Sequence, residues 1–337
     1  MEPINFLVRV NCMTFNQASY IEDALNGFTM QETTFPFVCT IFDDASTDGE
    51  QEAIKRYLES HFDLNNERIA SHEETNDYNL TFSQHRSNKN CYFAVFFLKY
   101  NHYSIKKSKV PYWQKWFSSK YIALCEGDDY WIDKQKLQRQ VDYLESHPDF
   151  MMHFHNALVR YQNHNCPDHL IRQFQSGEFN TALLFKKWQL PTASVLFRSN
   201  ILEHPTYLKR PIGYPGDITL FITASRIGKV YGLSECLSIY RKNDGGISNS
   251  LTDAKCLEFN LGLAIASGDN HSIKYMKRKA IVLISRFLPK YLLGSTKAKE
   301  LVRIAWGVDK KILFFSIFYS PFLVSYLLVA KIIKKTF

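Results

Sequence analysis

A strand–helix–strand–helix alternation at the start of the chain limits its fold more than any other feature. Phe6-Leu7-Val8-Arg9-Val10-Asn11 is a strand-forming run, followed by a loop, Cys12–Gln17. Ser19 and Glu22 have capping-box spacing, and Tyr20, Ile21, Ala24, Leu25 and Phe28 recur at helical spacing. Phe37–Phe42 is a second strand ending in Asp43-Asp44. Asp48 and Gln51 are placed to cap a helix whose apolar face is Ile54, Tyr57, Leu58 and Phe62. Such alternation predicts a parallel sheet with right-handed crossovers.

Farther on, His72–Asn90 is polar and reads as a long surface loop, and Cys91–Phe117 is aromatic-rich and predicts a helix. Tyr121–Cys125 is a strand running into Glu126-Gly127-Asp128-Asp129. Leu137, Val141 and Leu144 mark a helix closed by His147-Pro148. Phe150–Phe154, Ala193–Phe197, Val230–Leu233 and Leu237–Tyr240 read as strands, and Gly216-Asp217 opens a helix to about Arg226. At 337 residues the chain has room for about two domains, or for one large α/β domain with an appendage. Seven cysteines without a CxxC pair read as reduced thiols of a cytosolic compartment.

Charge separates the two ends. From His271 to Phe337 there are fourteen Lys/Arg against Glu300 and Asp309, a net +12, although the whole chain carries only +8. This excess sits beside apolar segments, which matches an anionic membrane surface better than a nucleic-acid groove. Ile312–Ala330 has no charge and is flanked by Lys310, Lys311, Lys331, Lys334 and Lys335. As a helix it would span about 28 Å, so a spanning, re-entrant or interfacial segment and a buried helix all stay open.

Three polar clusters close predicted strands: Asn11 with its loop, Asp43-Asp44 and Asp128-Asp129. In an open parallel sheet, ligands bind outside the carboxyl ends of strands. Adjacent carboxylates suit a hard divalent cation, Mg²⁺ or Mn²⁺. Neither GxxxxGK[ST] nor GxGxxG occurs, so a nucleotide would be held by carboxylates, loop backbone and metal. His153 and His155 share a strand face, but there is no HExxH and no Cys at ligand spacing, so they read as structural.

The runs Val10-Asn11-Cys12-Met13-Thr14-Phe15-Asn16, Asp43-Asp44-Ala45-Ser46-Thr47-Asp48-Gly49 and Glu126-Gly127-Asp128-Asp129-Tyr130-Trp131, in that order, resemble inverting family 2 glycosyltransferases of the bacterial surface-polysaccharide type. Gly216-Asp217 and Tyr240-Arg241-Lys242-Asn243-Asp244-Gly245-Gly246 are similar to that family's closing motifs. The resemblance covers about residues 5–250. It implies a GT-A-like α/β domain with a mostly parallel central sheet flanked by helices, and an inverting, metal-dependent transferase using Mg²⁺ or Mn²⁺. It implies nucleotide contacts from Thr14, Phe15, Asn16, Asp44, Asp128 and Arg241, with Phe15 stacked on the base and Arg241 reaching the diphosphate. Asp129 and Asn243 would face the metal, Trp131 and Thr192 the acceptor, and Asp217 would be the catalytic base.

Asn243 stands where family members often carry His, and Ser71–Ser119 is longer than the pattern, which suggests an acceptor lid or an insertion. Asp217 before a helical run also fits a plain N-cap. The expected organisation is a catalytic domain over 1–250 (about 1–117 for nucleotide, about 118–250 for metal and acceptor) and a basic helical tail, 251–337, with its apolar segment at 312–330. The expected partners are a nucleotide-sugar donor, most simply UDP-linked, a glycan or lipid-linked glycan acceptor, and an anionic membrane on its cytoplasmic side, with no nucleic acid. Two rivals remain: a catalytically weak nucleotide-sugar-binding or scaffold protein at the membrane, favoured by Asn243, and a sugar-phosphate nucleotidyltransferase. Cys12–Gln17 lacks the glycine and basic residue of the latter's triphosphate loop.

Overall fold

A computed structural model describes residues 3–66, 70–162, 166–179, 190–208, 216–243, 253–267, 270–292 and 294–318. The chain divides into two compact units: Met1–Asn180 with Gln189–Leu208 and Thr223–Asp244, and Thr181–Trp188 with Lys209–Ile222 and Gly245–Phe337.

The first unit opens as β1 (Ile4–Thr14), α1 (Ile21–Thr29), β2 (Phe37–Asp43) and α2 (Glu50–His61). It continues through β3 (Ser71–Glu74), β4 (Tyr78–Gln84), β5 (Cys91–Leu98), α3 (Val110–Trp116), β6 (Phe117–Leu124), β7 (Tyr130–Trp131) and α4 (Lys136–Ser146). Next come β8 (Phe150–Tyr161), β9 (His169–Leu170), β10 (Gly177–Glu178), β11 (Leu196–Arg198), α5 (Pro205–Leu208), α6 (Gly216–Ile227), whose first half lies in the second unit, and β12 (Lys229–Lys242). One sheet carries the order β10-β12-β8-β11-β6-β1-β2-β5-β4-β3. Its centre, β6-β1-β2-β5, is parallel, as is β8-β12, and antiparallel strands join and edge these blocks. This is the expected α/β class with helices on a central sheet.

Period-two alternation builds both faces. Cys39 and Ile41 of β2, with Phe93 and Val95 of β5, pack against Leu25 and Phe28 of α1, Ile54 and Leu58 of α2, and Leu137, Val141 and Leu144 of α4. Val38, Phe42, Ala94 and Phe96 face the other way, onto Tyr78, Leu80 and Phe82, with Trp113 and Trp116 of α3 against them. Each fully buried side chain of this size contributes about 1.5–3 kcal/mol.

Several expectations are corrected. Residues 72–90 are not a surface loop: they hold β3 and β4, whose Tyr78, Leu80 and Phe82 point inward between polar neighbours. Cys91–Leu98 is a central strand, and helix forms only at α3. Much of Ser71–Ser119 is therefore sheet and core, while Tyr100, Tyr103 and Ile105, in the irregular stretch between β5 and α3, are exposed. Ser19 caps nothing, because α1 starts one residue later with Tyr20 as N-cap and no side-chain cap. Gly49 is the N-cap of α2 at φ +94°, a left-handed position that suits glycine. The two C-terminal strand runs of the sequence are one strand, β12, with register shifts around Leu233–Ser238.

The second unit contains α7 (Asp253–Ser267), α8 (Asn270–Leu292) and α9 (Thr296–Val308), then helix over 310–318. Leu257, Leu261, Met276, Ala280, Ile284, Leu301, Ile304 and Ile312 form its core. Among the described residues no helix is long and apolar enough to cross a membrane. Of the apolar run Ile312–Ala330, residues from 319 lie outside the described ones, as do Lys331, Lys334, Lys335, Asp244, Gly245 and Gly246.

Candidate functional site

The carboxyl ends of β1, β2 and β6 lie side by side because the three strands are parallel neighbours, with Thr14 opposite Asp43 and Asn11 opposite Leu124. The ladder runs on past the strands. Asp44 N–H donates to Thr14 O at 3.0 Å, Cys125 N–H to Asn11 O at 3.2 Å and Gly127 N–H to Met13 O at 3.1 Å. The 14–17 loop and the acidic turn 126–129 thus flank one strand end.

A buried carboxylate that sequence reasoning passed over organises the loop. Glu50 accepts from Thr14 Oγ1, from Gln17 N–H at 2.9 Å and from Ser46 Oγ at 2.8 Å. Asn16 and Ala45 both hold left-handed φ, at 53° and 61°, and Asn16 bonds across to Ser46 and Thr47. Strained backbone of this kind concentrates at functional sites. Phe15, just before Asn16, is 45% exposed, so it is not core. A Cβ on Gly127 would lie 2.3 Å from Thr14 Oγ1 and 2.6 Å from Gln17 Oε1, so only glycine lets the two segments meet.

Asp44 is buried, and both of its oxygens accept from protein. Its Oδ1 accepts His102 N–H at 2.7 Å, and its Oδ2 accepts Tyr103 N–H at 3.0 Å and Lys109 Nζ at 3.1 Å. Asp43 beside it accepts from Ser46 N–H and Gln51 Nε2 but leaves buried Oδ1 without a hydrogen-bond partner. Burial raises the carboxyl pKa of both Asp43 and Glu50.

On the acidic turn, Asp129 Oδ1 accepts Arg241 N–H at 2.8 Å, while Oδ2 is buried and has no hydrogen-bond partner. Burial, with Asp128 and Glu126 alongside, pushes its carboxyl well above the usual range. Asp128 is also raised by burial, and its Oδ2 accepts Asn243 Nδ2 at 3.1 Å. Glu126, Asp128 and Asp129 offer carboxylate oxygens all within 4.8 Å of one another. Three converging hard oxygen donors, one of them a buried orphan, fit a divalent cation. Among the described residues this is the one such group; His153 and His155 are buried and held neutral by desolvation, as structural histidines are.

Arg241, expected at the diphosphate, has its guanidinium held by protein: it pairs with Asp23 and lies 4.5 Å from the Tyr130 ring centroid and 5.1 Å from that of Tyr20. Its backbone N–H also fixes the acidic turn. Trp131, expected near the acceptor, is buried with its ring against Phe28. Its Nε1 donates to Ala193 O at 2.7 Å, so it holds the short 3₁₀ turn Thr192–Ser194 in place, with Thr192 half-buried. Beneath it, buried Lys136 sits 4.0 Å from the Trp131 ring and donates to Gln140 Oε1 at 2.7 Å. Asp217 belongs to the second unit, in the first turn of α6, where its Oδ1 accepts Ile218 N–H at 2.8 Å and burial raises its carboxyl pKa.

No family model matches the chain. Three curated uncharacterized proteins, one from Mycobacterium bovis and two from strains of Mycobacterium tuberculosis, are each 29% identical to it over 239 residues. That stretch is 71% of this chain and 59% of theirs, so the chain spans less than two thirds of the curated relatives it matches. Among solved structures it is similar to residues 1–349 of S. aureus TarS in complex with UDP-GlcNAc, with a TM-score of 0.54 at 14% identity over 91% of this chain and 82% of that one. The same TarS segment on its own gives 0.51 at 13% identity, with the same coverage. The shared feature is the fold.

Proposed function

We propose that the chain is a metal-dependent glycosyltransferase that moves a sugar from a nucleotide donor to a hydroxyl acceptor in one inverting displacement. The observation that carries this reading is the convergence of Glu126, Asp128 and Asp129 beside the Thr14–Gln17 loop at the carboxyl edge of parallel strands. The fold shared with a TarS segment solved with UDP-GlcNAc supports a UDP-linked donor.

In this reading Phe15 offers an exposed ring for the base, and Thr14 and Asn16 shape the loop beneath it. Asp44 holds the 101–109 segment and keeps one lone pair, on Oδ1, for a base or ribose donor. Asp128 faces the ribose and Asp129 the cation, with Glu126 completing an oxygen set and Asn243 steadying Asp128. Mg²⁺ or Mn²⁺ bound there would supply Lewis-acid stabilisation of a leaving diphosphate. Arg241 positions Asp129, and Trp131 positions Thr192 near the acceptor. Asp217 takes the acceptor hydroxyl proton as that oxygen bonds to the anomeric carbon and the carbon–diphosphate bond breaks. Its raised pKa makes it a better base than an exposed aspartate. Residues 1–250 would be the catalytic part, and the acceptor a glycan or lipid-linked glycan of a surface polysaccharide, met at the cytoplasmic side of a membrane.

Asp217→Asn tests the assignment. It should lower turnover of a UDP-sugar by about 10²–10⁴-fold, the usual contribution of a general base, with donor affinity unchanged. Full turnover in the variant would remove Asp217 from the chemistry. A second reading, a catalytically weak nucleotide-sugar binder, is favoured by Asn243, a neutral ligand bonded to Asp128. Donor binding without turnover in the unaltered chain, across UDP-, GDP- and dTDP-sugars, would establish it.

A further inference from the structure

Within the second unit, residues 310–318 bind their own helices by one narrow stripe. Ile312 is buried in the unit's core, and Ser316 Oγ donates to Ile312 O at 2.7 Å and to Ile281 O of α8 at 3.3 Å. Docking that stripe forces the opposite one outward. Phe314, Phe315, Ile317 and Phe318 are each about half exposed, at 57%, 48%, 53% and 59%. The rings touch: Phe314 lies 5.6 Å from Phe315 and 4.8 Å from Phe318. Trp306 of α9 is also exposed, at 56%, with Lys310 Nζ 4.8 Å from its ring centroid.

This inverts the ordinary amphipathic surface helix, which hides its apolar side. We propose that this Trp306–Phe318 face docks onto an anionic lipid surface, its rings entering the acyl boundary and its lysines meeting the headgroups. Charge selects the partner. Lys310, Lys311 and Arg303 are exposed, and the net charge over 271–337 is +12. One of the two acids there, Asp309, is taken up internally by Lys277 Nζ at 2.7 Å. A second copy of the chain would bring a like charge against it. A nucleic acid would satisfy the lysines but leave the clustered phenyl rings wet. Aromatic rings beside basic side chains are the composition of an interfacial anchor. The inference rests on the second unit alone and holds whether or not the first transfers sugar.

Co-sedimentation of the full chain with vesicles tests it. The protein should pellet with phosphatidylcholine vesicles containing about 30% phosphatidylglycerol, and release as salt screens the attraction. Phe314→Ser with Phe318→Ser should weaken binding about tenfold or more by removing two inserted rings. Lys310→Gln and Lys311→Gln should each weaken it about fivefold. All four side chains are exposed, so an unchanged circular dichroism melt accompanies either set. Failure to bind anionic vesicles, binding indifferent to the Phe changes, or a concentration-dependent dimer dispersed by them would each overturn the proposal. A chain without transferase activity that still binds vesicles would leave it standing.

Discussion

Glu50 carries a prediction that separates a structural carboxylate from an incidental one. Glu50→Ala strips the acceptor from Thr14, Gln17 N–H and Ser46 together. Ser46 can turn toward water and Thr14 Oγ1 can donate to Gln17 Oε1 at 2.8 Å, but the half-buried Gln17 N–H is left without its acceptor, and an abandoned buried donor costs about 1–3 kcal/mol, so the loss should be about 1–3 kcal/mol. Glu50→Gln keeps an amide oxygen for Gln17 N–H and Ser46. Its NH₂ then faces Thr14 Oγ1, which can accept and pass its own proton to Gln17 Oε1, 2.8 Å away, so the loss should stay below about 1 kcal/mol. The pH dependence has a fixed sign. Burial raises the Glu50 pKa above its unfolded value. The stability this contributes is therefore complete below the unfolded pKa and is lost as pH rises through the folded one. Asp43, also raised, adds a fall of the same direction that the variant keeps. Urea unfolding in metal-free buffer at mildly acidic and neutral pH measures both effects, and Glu50→Gln should show a shallower decline than the unaltered chain. An identical pH decline, or a glutamine variant as unstable as the alanine one, would refute the assignment.

Other outcomes follow from the same geometry. Gly127→Ala forces a methyl against Thr14 Oγ1 and Gln17 Oε1, which should cost about 1–3 kcal/mol in thermal or urea unfolding and weaken nucleotide binding by calorimetry. Lys136, fully buried, has its pKa lowered to about 7. Its unfolded form holds the proton more tightly, so stability should rise with pH from about 7 toward the unfolded lysine value, and Lys136→Met should flatten that rise and be neutral or stabilising near pH 7. Chelation with EDTA should abolish turnover, and Mn²⁺ titration should raise the melting temperature of the unaltered chain but not of Asp129→Asn.

The β–α–β–α opening was legible because its periods change cleanly from two to 3.6 and its strands end in Asp43-Asp44 and Glu126-Gly127-Asp128-Asp129. β4 was not, since Asn79, Thr81 and Ser83 between Tyr78, Leu80 and Phe82 make a half-buried strand look like polar loop. β12 read as two strands because Ser234 and Glu235 sit in its bulged stretch. The carboxylates at strand ends were visible as a pattern, but which of them are engaged was not. Glu50 looks like any acidic residue in a first helical turn, and its burial follows from the loop folding back over it. Lys109 carries no local signal, since its partner Asp44 is sixty-five residues away in sequence. Arg241 and Trp131 stand out by motif, but the pairing of Arg241 with Asp23 and the packing of Trp131 on Phe28 do not, because a motif records which residue is present and not which neighbours compete for it.

The extra rungs on β1 have a mechanical consequence. Met13 O and Thr14 O, adjacent carbonyls of a single strand, receive Gly127 and Asp44 from opposite sides. Whatever shifts one receiver shifts the other, so the segments that follow β2 and β6 move as a splinted pair with few independent degrees of freedom. Occupying either one therefore leaves less disorder to be removed at its neighbour.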